Sequence, residues 1–264
     1  VTYNTAISCC ENDGEWQTAL RLLEAIDESR MEADVISFSA AISSHAKMGR
    51  WEEAISLFDE MKRQKLQLDV ICFGNAMTSC AKFRQWQAAL ALLETMLSCQ
   101  LPPSSISFNV ALHVCSMAGR WLKALQLCRK AGPAADVISY STSISACEKA
   151  AAWQQALAAL WEMPSRVLPN VVTFNAAISA CEKAAKWQMA LGLVEKIMEI
   201  RLAPDVITVN AALSSCEKAP GEWLQALRLF HVMPQWKLKR DHISYSSAIS
   251  CCEKAGQWQV ALNL

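Results

Sequence analysis

Residues 171–187 read VVTFNAAISACEKAAKW, and this frame returns along the whole chain of 264 residues. Its tryptophan recurs as Trp16, Trp51, Trp86, Trp121, Trp153, Trp187, Trp223 and Trp258, at steps of 35, 35, 35, 32, 34, 36 and 35 residues. Six residues ahead stands a second series: Cys10, His45, Cys80, Cys115, Cys147, Cys181, Cys216 and Cys252. Only Cys216 is seven ahead, because Pro220-Gly221 lengthens its turn. An aromatic series lies seven before the cysteines: Tyr3, Phe38, Phe73, Phe108, Tyr140, Phe174, then Val209 as the exception, then Tyr245. Three series with one period define a tandem repeat. Its copies are bounded at 1–34, 35–69, 70–104, 105–136, 137–170, 171–205, 206–241 and a truncated 242–264.

Each copy reads as two helices. Phe38, Ala41, Ile42 and His45 are spaced 3, 1 and 3 and share one helical face. Ser37 stands where an N-cap belongs, matched by Thr2, Ser107, Ser139, Thr173, Thr208 and Ser244. Glycine then breaks the chain at Gly14, Gly49, Gly119, Gly221 and Gly256. A second helix follows, with Trp51, Ala54, Ile55, Phe58 and Met61 on one face, and proline closes several copies at Pro103, Pro169 and Pro204. Neither helix can bury its stripe alone, so copies must stack: an all-α fold, an α-solenoid with one continuous core. The tryptophans and the Tyr/Phe series are expected in that core. The fourth copy is three residues short around Gly132-Pro133, which shortens its second helix or exit loop. The chain starts on a first helix and ends inside a second with no polar capping helix, the expectation for an excerpt of a longer array or of a protein with further domains.

Composition narrows the function. Apolar residues make up 53%, enough for a real core, and no apolar run approaches the ~18 residues of a membrane span. Lys+Arg and Asp+Glu number 25 each, so nucleic-acid binding by bulk charge is excluded and any contact must use a local stripe. Stacked helix pairs put equivalent cysteines ~10 Å apart, beyond the ~7 Å that a disulfide allows. The cysteines therefore read as small buried groups in a reducing compartment. The adjacent pairs Cys9-Cys10 and Cys251-Cys252 lack zinc spacing, and His45, His113, His231 and His242 form no metal signature. No catalytic constellation, metal site or cofactor motif appears, so this segment is not expected to be an enzyme.

The pattern closely resembles the pentatricopeptide repeat, as a P-type array. Val171-Val172-Thr173-Phe174-Asn175-Ala176-Ala177-Ile178 matches the start of that motif and Ala203-Pro204-Asp205 its end. The tetratricopeptide repeat has a similar length but carries its Trp in the first helix with Leu-Gly following. Here Trp opens the second helix. The resemblance implies a right-handed superhelix that binds single-stranded RNA, one base per repeat. Such proteins mostly work in mitochondria or plastids, in RNA processing, stability, editing or translation.

The resemblance also implies which residues act. The fifth and last residues of each repeat select the base. Here they are Asn4 with Asp34, Ser39 with Asp69, Gly74 with Ser104, Asn109 with Asp136, Ser141 with Asn170, Asn175 with Asp205, Asn210 with Asp241, and Ser246 opening an eighth pair. The implied RNA is 5′-U-G-N-U-A-U-U-R-3′, running N to C. The third letter is open because Gly74 with Ser104 departs from the usual choices. Val1, Ile36, Ile71, Ile106, Ile138, Val172, Ile207 and Ile243 would flank the bases as apolar plates. Lys47, Lys82, Lys149, Lys183, Lys218 and Lys254 would face the phosphates, with Asn12 and Met117 in their place in copies one and four. Each series also has an ordinary structural reading. The Asp and Asn residues cap helices, the aliphatics pack between repeats, and the lysines complement helix dipoles. Capping alone does not explain a recurring Asn or Ser one turn inside the first helix. Two other functions compete: a protein-interaction scaffold, and the RNA-targeting part of an enzyme whose catalytic domain lies elsewhere.

Overall fold

The computed structural model describes residues 5–7, 9–10, 15–28, 34–64, 66, 69–219 and 221–264, apart from the side chain of Lys82. Among these residues there is no strand, and no helix is long and apolar enough to cross a membrane. First helices run Val35–Met48, Val70–Lys82, Ser105–Met117, Val137–Lys149, Val171–Lys183, Val206–Glu217 and His242–Lys254. Second helices run Trp16–Glu28, Trp51–Arg63, Trp86–Ser98, Trp121–Ala131, Trp153–Trp161, Trp187–Glu199, Trp223–Val232 and Trp258–Leu262. The chain forms two compact units, Val1–Ala135 and Asp136–Leu264. In each, a first helix packs on its own second helix and on the first helix of the next repeat, the all-α solenoid arrangement. The short fourth copy closes the first unit with a 3₁₀ turn, Gly132–Ala134.

The helix starts differ from expectation. The caps are not the Ser37 series but the residues three before it: Asp34, Asp69, Ser104, Asp136, Asn170, Asp205 and Asp241. Each is extended and its side chain accepts the backbone N–H three residues on, at 2.7 Å for Asp205 and 2.9 Å for Asp34 and Asn170. Ser139, Thr173, Thr208 and Ser244 are then N3 residues whose hydroxyls accept the cap's own N–H, completing a capping box.

The six-residue step from Cys to Trp is a turn of fixed geometry. The carbonyl at the Cys position accepts an N–H five residues on: Arg50 to His45 at 2.9 Å, Arg120 to Cys115 at 2.8 Å, Lys186 to Cys181 at 2.9 Å. This closure needs a left-handed residue just before the donor. Gly49 (φ 79) and Gly119 (φ 69) supply it, and so do Arg84 (φ 55), Ala151 (φ 52) and Ala185 (φ 53), where glycine is missing. The two kinds of position respond oppositely to mutation. A Cβ on Gly49 would stand 2.5 Å from the Phe83 ring of the next repeat. Gly49→Ala should therefore cost roughly 1–2 kcal/mol in left-handed strain before any repacking. Ala151→Gly and Ala185→Gly each release about 1 kcal/mol of that strain, offset in part by about 0.5 kcal/mol of added freedom in the unfolded chain. Urea unfolding of the three variants checks the signs; a stabilised Gly49→Ala would refute this account.

The core is built from small and aliphatic side chains with phenylalanine at the seams. Phe58 meets Phe73 of the next repeat edge-on at 4.8 Å, and Phe230 meets Tyr245 at 5.0 Å. All twelve cysteines are free thiols, and burial pushes Cys115, Cys147, Cys181 and Cys216 up to about 11. They pack as small apolar groups. The tryptophans pack at the rim of the core rather than at its centre: seven are partly buried, Trp187 and Trp223 against the cluster around Val209 and Leu213, and Trp258 is 63% exposed. Each opens its helix at the edge of the hairpin, so only part of the ring is covered. Cations of the next repeat take some of the open faces: Arg50 lies 3.6 Å from the Trp16 ring centre, Arg120 5.0 Å from Trp86 and Lys186 5.6 Å from Trp153.

Two second helices stop early, at Trp161 and Val232, because Pro164 and Pro234 follow. Pro234 has no N–H for the Phe230 carbonyl four residues back. The Arg240 guanidinium donates to that carbonyl instead, at 3.0 Å, with its carbon 4.1 Å from the Phe230 ring centre. The residue before the Asp241 cap is thereby anchored.

One core position carries a pH dependence. His45 takes the place of a cysteine and is fully buried. Its Nδ1 lies 2.8 Å from the Ala41 carbonyl, while Nε2 has no partner among the described residues. Burial and the nearby Arg50 guanidinium hold it below its ordinary value of 6.5, with the Ala41 carbonyl and Glu53 opposing. The folded state thus favours the neutral ring. This contribution is complete above pH 6.5 and is lost as pH falls through the lower folded value. His45→Cys should flatten the loss of thermal stability between pH 7 and 5; parallel curves for the two proteins would contradict it.

Candidate nucleic-acid interface

The cap geometry sets the site. In the sixth repeat Asn175, one turn inside its helix, places Nδ2 3.1 Å from both carboxylate oxygens of Asp205. Asn210 and Asp241 repeat this in the seventh, again at 3.1 Å to both oxygens. The Asn oxygens are held as well: the Thr208 hydroxyl donates to Asn175 Oδ1 at 2.6 Å and the Ser244 hydroxyl to Asn210 Oδ1 at 2.7 Å. The same carboxylates cap the next helix, so capping and pairing coexist on one side chain. N–H donors from Ser244 and Asn210 keep the Asp241 carboxyl below its usual range, the Ser244 backbone N–H foremost. It is charged at neutral pH and can only accept.

Other repeats vary the theme. In the fifth, Asn170 Oδ1 accepts the Thr173 N–H at 2.9 Å and the Thr173 hydroxyl at 2.8 Å. The cap requires an acceptor there, which fixes the amide: oxygen toward the helix, Nδ2 outward and unpartnered among the described residues. Ser141 does not reach Asn170; its hydroxyl lies 2.8 Å from the Val137 carbonyl and 2.9 Å from Thr173 Oγ1. In the second repeat Ser39 donates to the Ile36 carbonyl at 3.0 Å, while Asp69 caps Cys72. In the third repeat a Cβ at Gly74 would meet only open space, and Ser104 caps the next helix. Asn109 belongs to the first unit and Asp136 to the second. Ser246 is exposed and bonds the Ile243 carbonyl at 3.1 Å. Asn4 and Val1 lie outside the described residues.

Two residues after each cap stands an aliphatic side chain open to solvent. Ile36, Ile71, Ile106, Ile138, Val172, Ile207 and Ile243 are 48% to 70% exposed. Packing between repeats does not account for apolar groups this exposed at one repeat position.

The lysines end the first helices. In the second unit three of them reach a glutamate of the preceding repeat: Lys183 to Glu148 at 2.9 Å, Lys218 to Glu182 at 2.9 Å and Lys254 to Glu217 at 3.1 Å. These pairs are partly exposed and worth ~0–1 kcal/mol each. Lys47 and Lys149 occupy the same helix-end position, and the side chain of Lys82 is outside the description. The glutamate column escaped the sequence reading, although the recurring Cys-Glu-Lys triplets at 147–149, 181–183 and 216–218 carry it. So did the Thr208 and Ser244 contacts across the repeat boundary.

Stacked helix pairs that repeat an exposed aliphatic, a polar pair at the cap and a helix-end lysine define a modular α-helical repeat protein. The chain belongs to the pentatricopeptide repeat family. The family models described as PPR repeat family (33–82), Pentatricopeptide repeat domain (124–184 and 167–219) and PPR repeat (1–31, 106–131 and 243–264) together match well over half of it. None of the curated proteins matches it. Among solved structures it is similar to pentatricopeptide repeat protein PPR10 from maize (TM-score 0.67, 21% identity), covering 93% of this chain and 36% of that one. PPR10 in complex with an 18-nt psaJ RNA element gives 0.55 at 19% identity, covering 99% and 42%. Nuclear proteinaceous RNase P 2 from A. thaliana gives 0.51 at 12%, covering 84% and 43%. The likeness is one of fold, and this chain spans less than half the length of each relative.

Proposed function

We propose that this chain binds single-stranded RNA with one base per repeat, and that the fifth and last residues of each repeat choose the base. The carrying observation is the 3.1 Å contact of Asn175 with Asp205, and of Asn210 with Asp241, beside the exposed aliphatic column. Each such pair offers an N–H donor from the amide and an acceptor from the carboxylate, which is what the edge of uracil requires. Exposed aliphatics at one-repeat spacing suit the faces of separated bases. The RNA complex of PPR10 supports the same reading. The bound strand is 5′-U-G-N-U-A-U-U-R-3′, and the protein acts by occupying it rather than by catalysis. Family membership supports a mitochondrial or plastid setting, in RNA processing or stability. Unbiased selection of bound RNA at a stated salt concentration tests it. Enrichment of U at positions six and seven and A at five is the expected result. Selection that enriches no sequence would favour a protein-binding scaffold.

A further inference from the structure

Base choice by Asn175 depends on which end of its amide faces the RNA. The two ends are nearly equal in shape and opposite in chemistry. An outward N–H suits the carbonyls of uracil; an outward oxygen suits the amino group of cytosine. Something must therefore hold the amide. Asp205 takes the Nδ2 end at 3.1 Å. The oxygen end is held from the next helix, by the hydroxyl at its third residue. The Asp205 N–H donates to the Thr208 oxygen at 3.2 Å, leaving the hydroxyl proton to donate; Asn175 Oδ1 at 2.6 Å is the nearer of its two acceptors, Asp205 Oδ1 at 2.8 Å being the other. Ser244 stands the same way, with the Asp241 N–H at 3.3 Å and Asn210 Oδ1 at 2.7 Å.

We propose that the third-residue hydroxyl of each first helix is a positioning residue for base choice in the repeat before it. This rests on the RNA-binding reading above. Thr208 acts on the sixth base through Asn175, and Ser244 on the seventh through Asn210. The hydroxyl ties down the amide oxygen, so the amide presents N–H and uracil is chosen over cytosine. Without it only Asp205 holds the amide, by its Nδ2 end, the orientation is less strictly kept, and the two pyrimidines become closer in affinity.

Thr208→Val tests this, since it keeps the branched shape and leaves the residue 208 N–H donating to Asp205. Binding is measured to the RNA above with U or C at position six, and separately with U or C at position seven. The expected result is a U-over-C ratio at position six lowered about fivefold, one ordinary hydrogen bond's worth. The ratio at position seven should hold, and Thr208→Ser should restore position six. An unchanged ratio at six in Thr208→Val overturns the proposal. So does an equal fall at both positions, which would mark a weakened helix. If the unmutated protein binds RNA without preferring U at six, the Asn175–Asp205 reading itself fails and the proposal with it. If it binds no RNA, the proposed function fails first.

Discussion

Asn170→Asp should move the preferred fifth base from A to G. Adenine presents a bare ring nitrogen where guanine presents an N–H. The outward Nδ2 of Asn170 meets the first; a carboxylate oxygen meets the second. The substitution costs one good base-edge contact with A, on the order of 1–3 kcal/mol if single strands follow duplex readout. It also leaves two acceptors facing each other, which deepens the discrimination. The helix should not notice. Asp and Asn are equivalent caps, and the Thr173 N–H that bonds Asn170 at 2.9 Å finds an oxygen either way. Binding to the A and G forms of the RNA, with a thermal melt alongside, separates the outcomes. Persistent preference for A would leave Asn170 a cap and nothing more.

The second large effect concerns the lysine column, and the structure gives it two signs. Replacing Lys183, Lys218 and Lys254 with Gln should weaken all RNAs about equally, because phosphate contacts position a strand without reading it. Each lost contact lowers the salt slope by ~0.7 for a single strand. These lysines already sit 2.9 to 3.1 Å from Glu148, Glu182 and Glu217. A phosphate must compete with those carboxylates. Replacing the three glutamates with Gln should therefore do the reverse: tighter binding to every sequence and a steeper salt slope. Titrations at several salt concentrations report both. Slopes that stay put in both triple variants would mean that the column only joins helix ends.

Much of the fold was legible because it is periodic. Trp, Cys and aromatic series give the repeat length, and their internal spacing gives two helices per copy. What periodicity reports is direction, and it says little about depth. It placed Trp16 and its equivalents on the right side of the second helix, but a residue at the first helical position is covered only in part. Where each first helix starts was misread for a related reason. Asp34 and Ser37 are both good caps, three residues apart, and a capping box uses both. The hydroxyl looked like the start when the carboxylate was. The clearest signal was Ile36, an apolar residue whose exposure makes sense only inside the first turn. The glutamate column was hidden because Glu148 meets Lys183 across a repeat boundary, 35 residues away, where no single-helix pattern applies.

On the proposed reading the last residue of each repeat both caps a helix and chooses a base, and this double duty has an evolutionary consequence. The seven observed caps are Asp, Asn or Ser. These are near the top of the cap ranking and close to one another in it, yet they differ as donors and acceptors. Exchange among them changes the letter read and barely disturbs the helix behind it. An array built this way can wander through target sequences on a nearly level stability surface, so that its vocabulary drifts while its scaffold stays under selection.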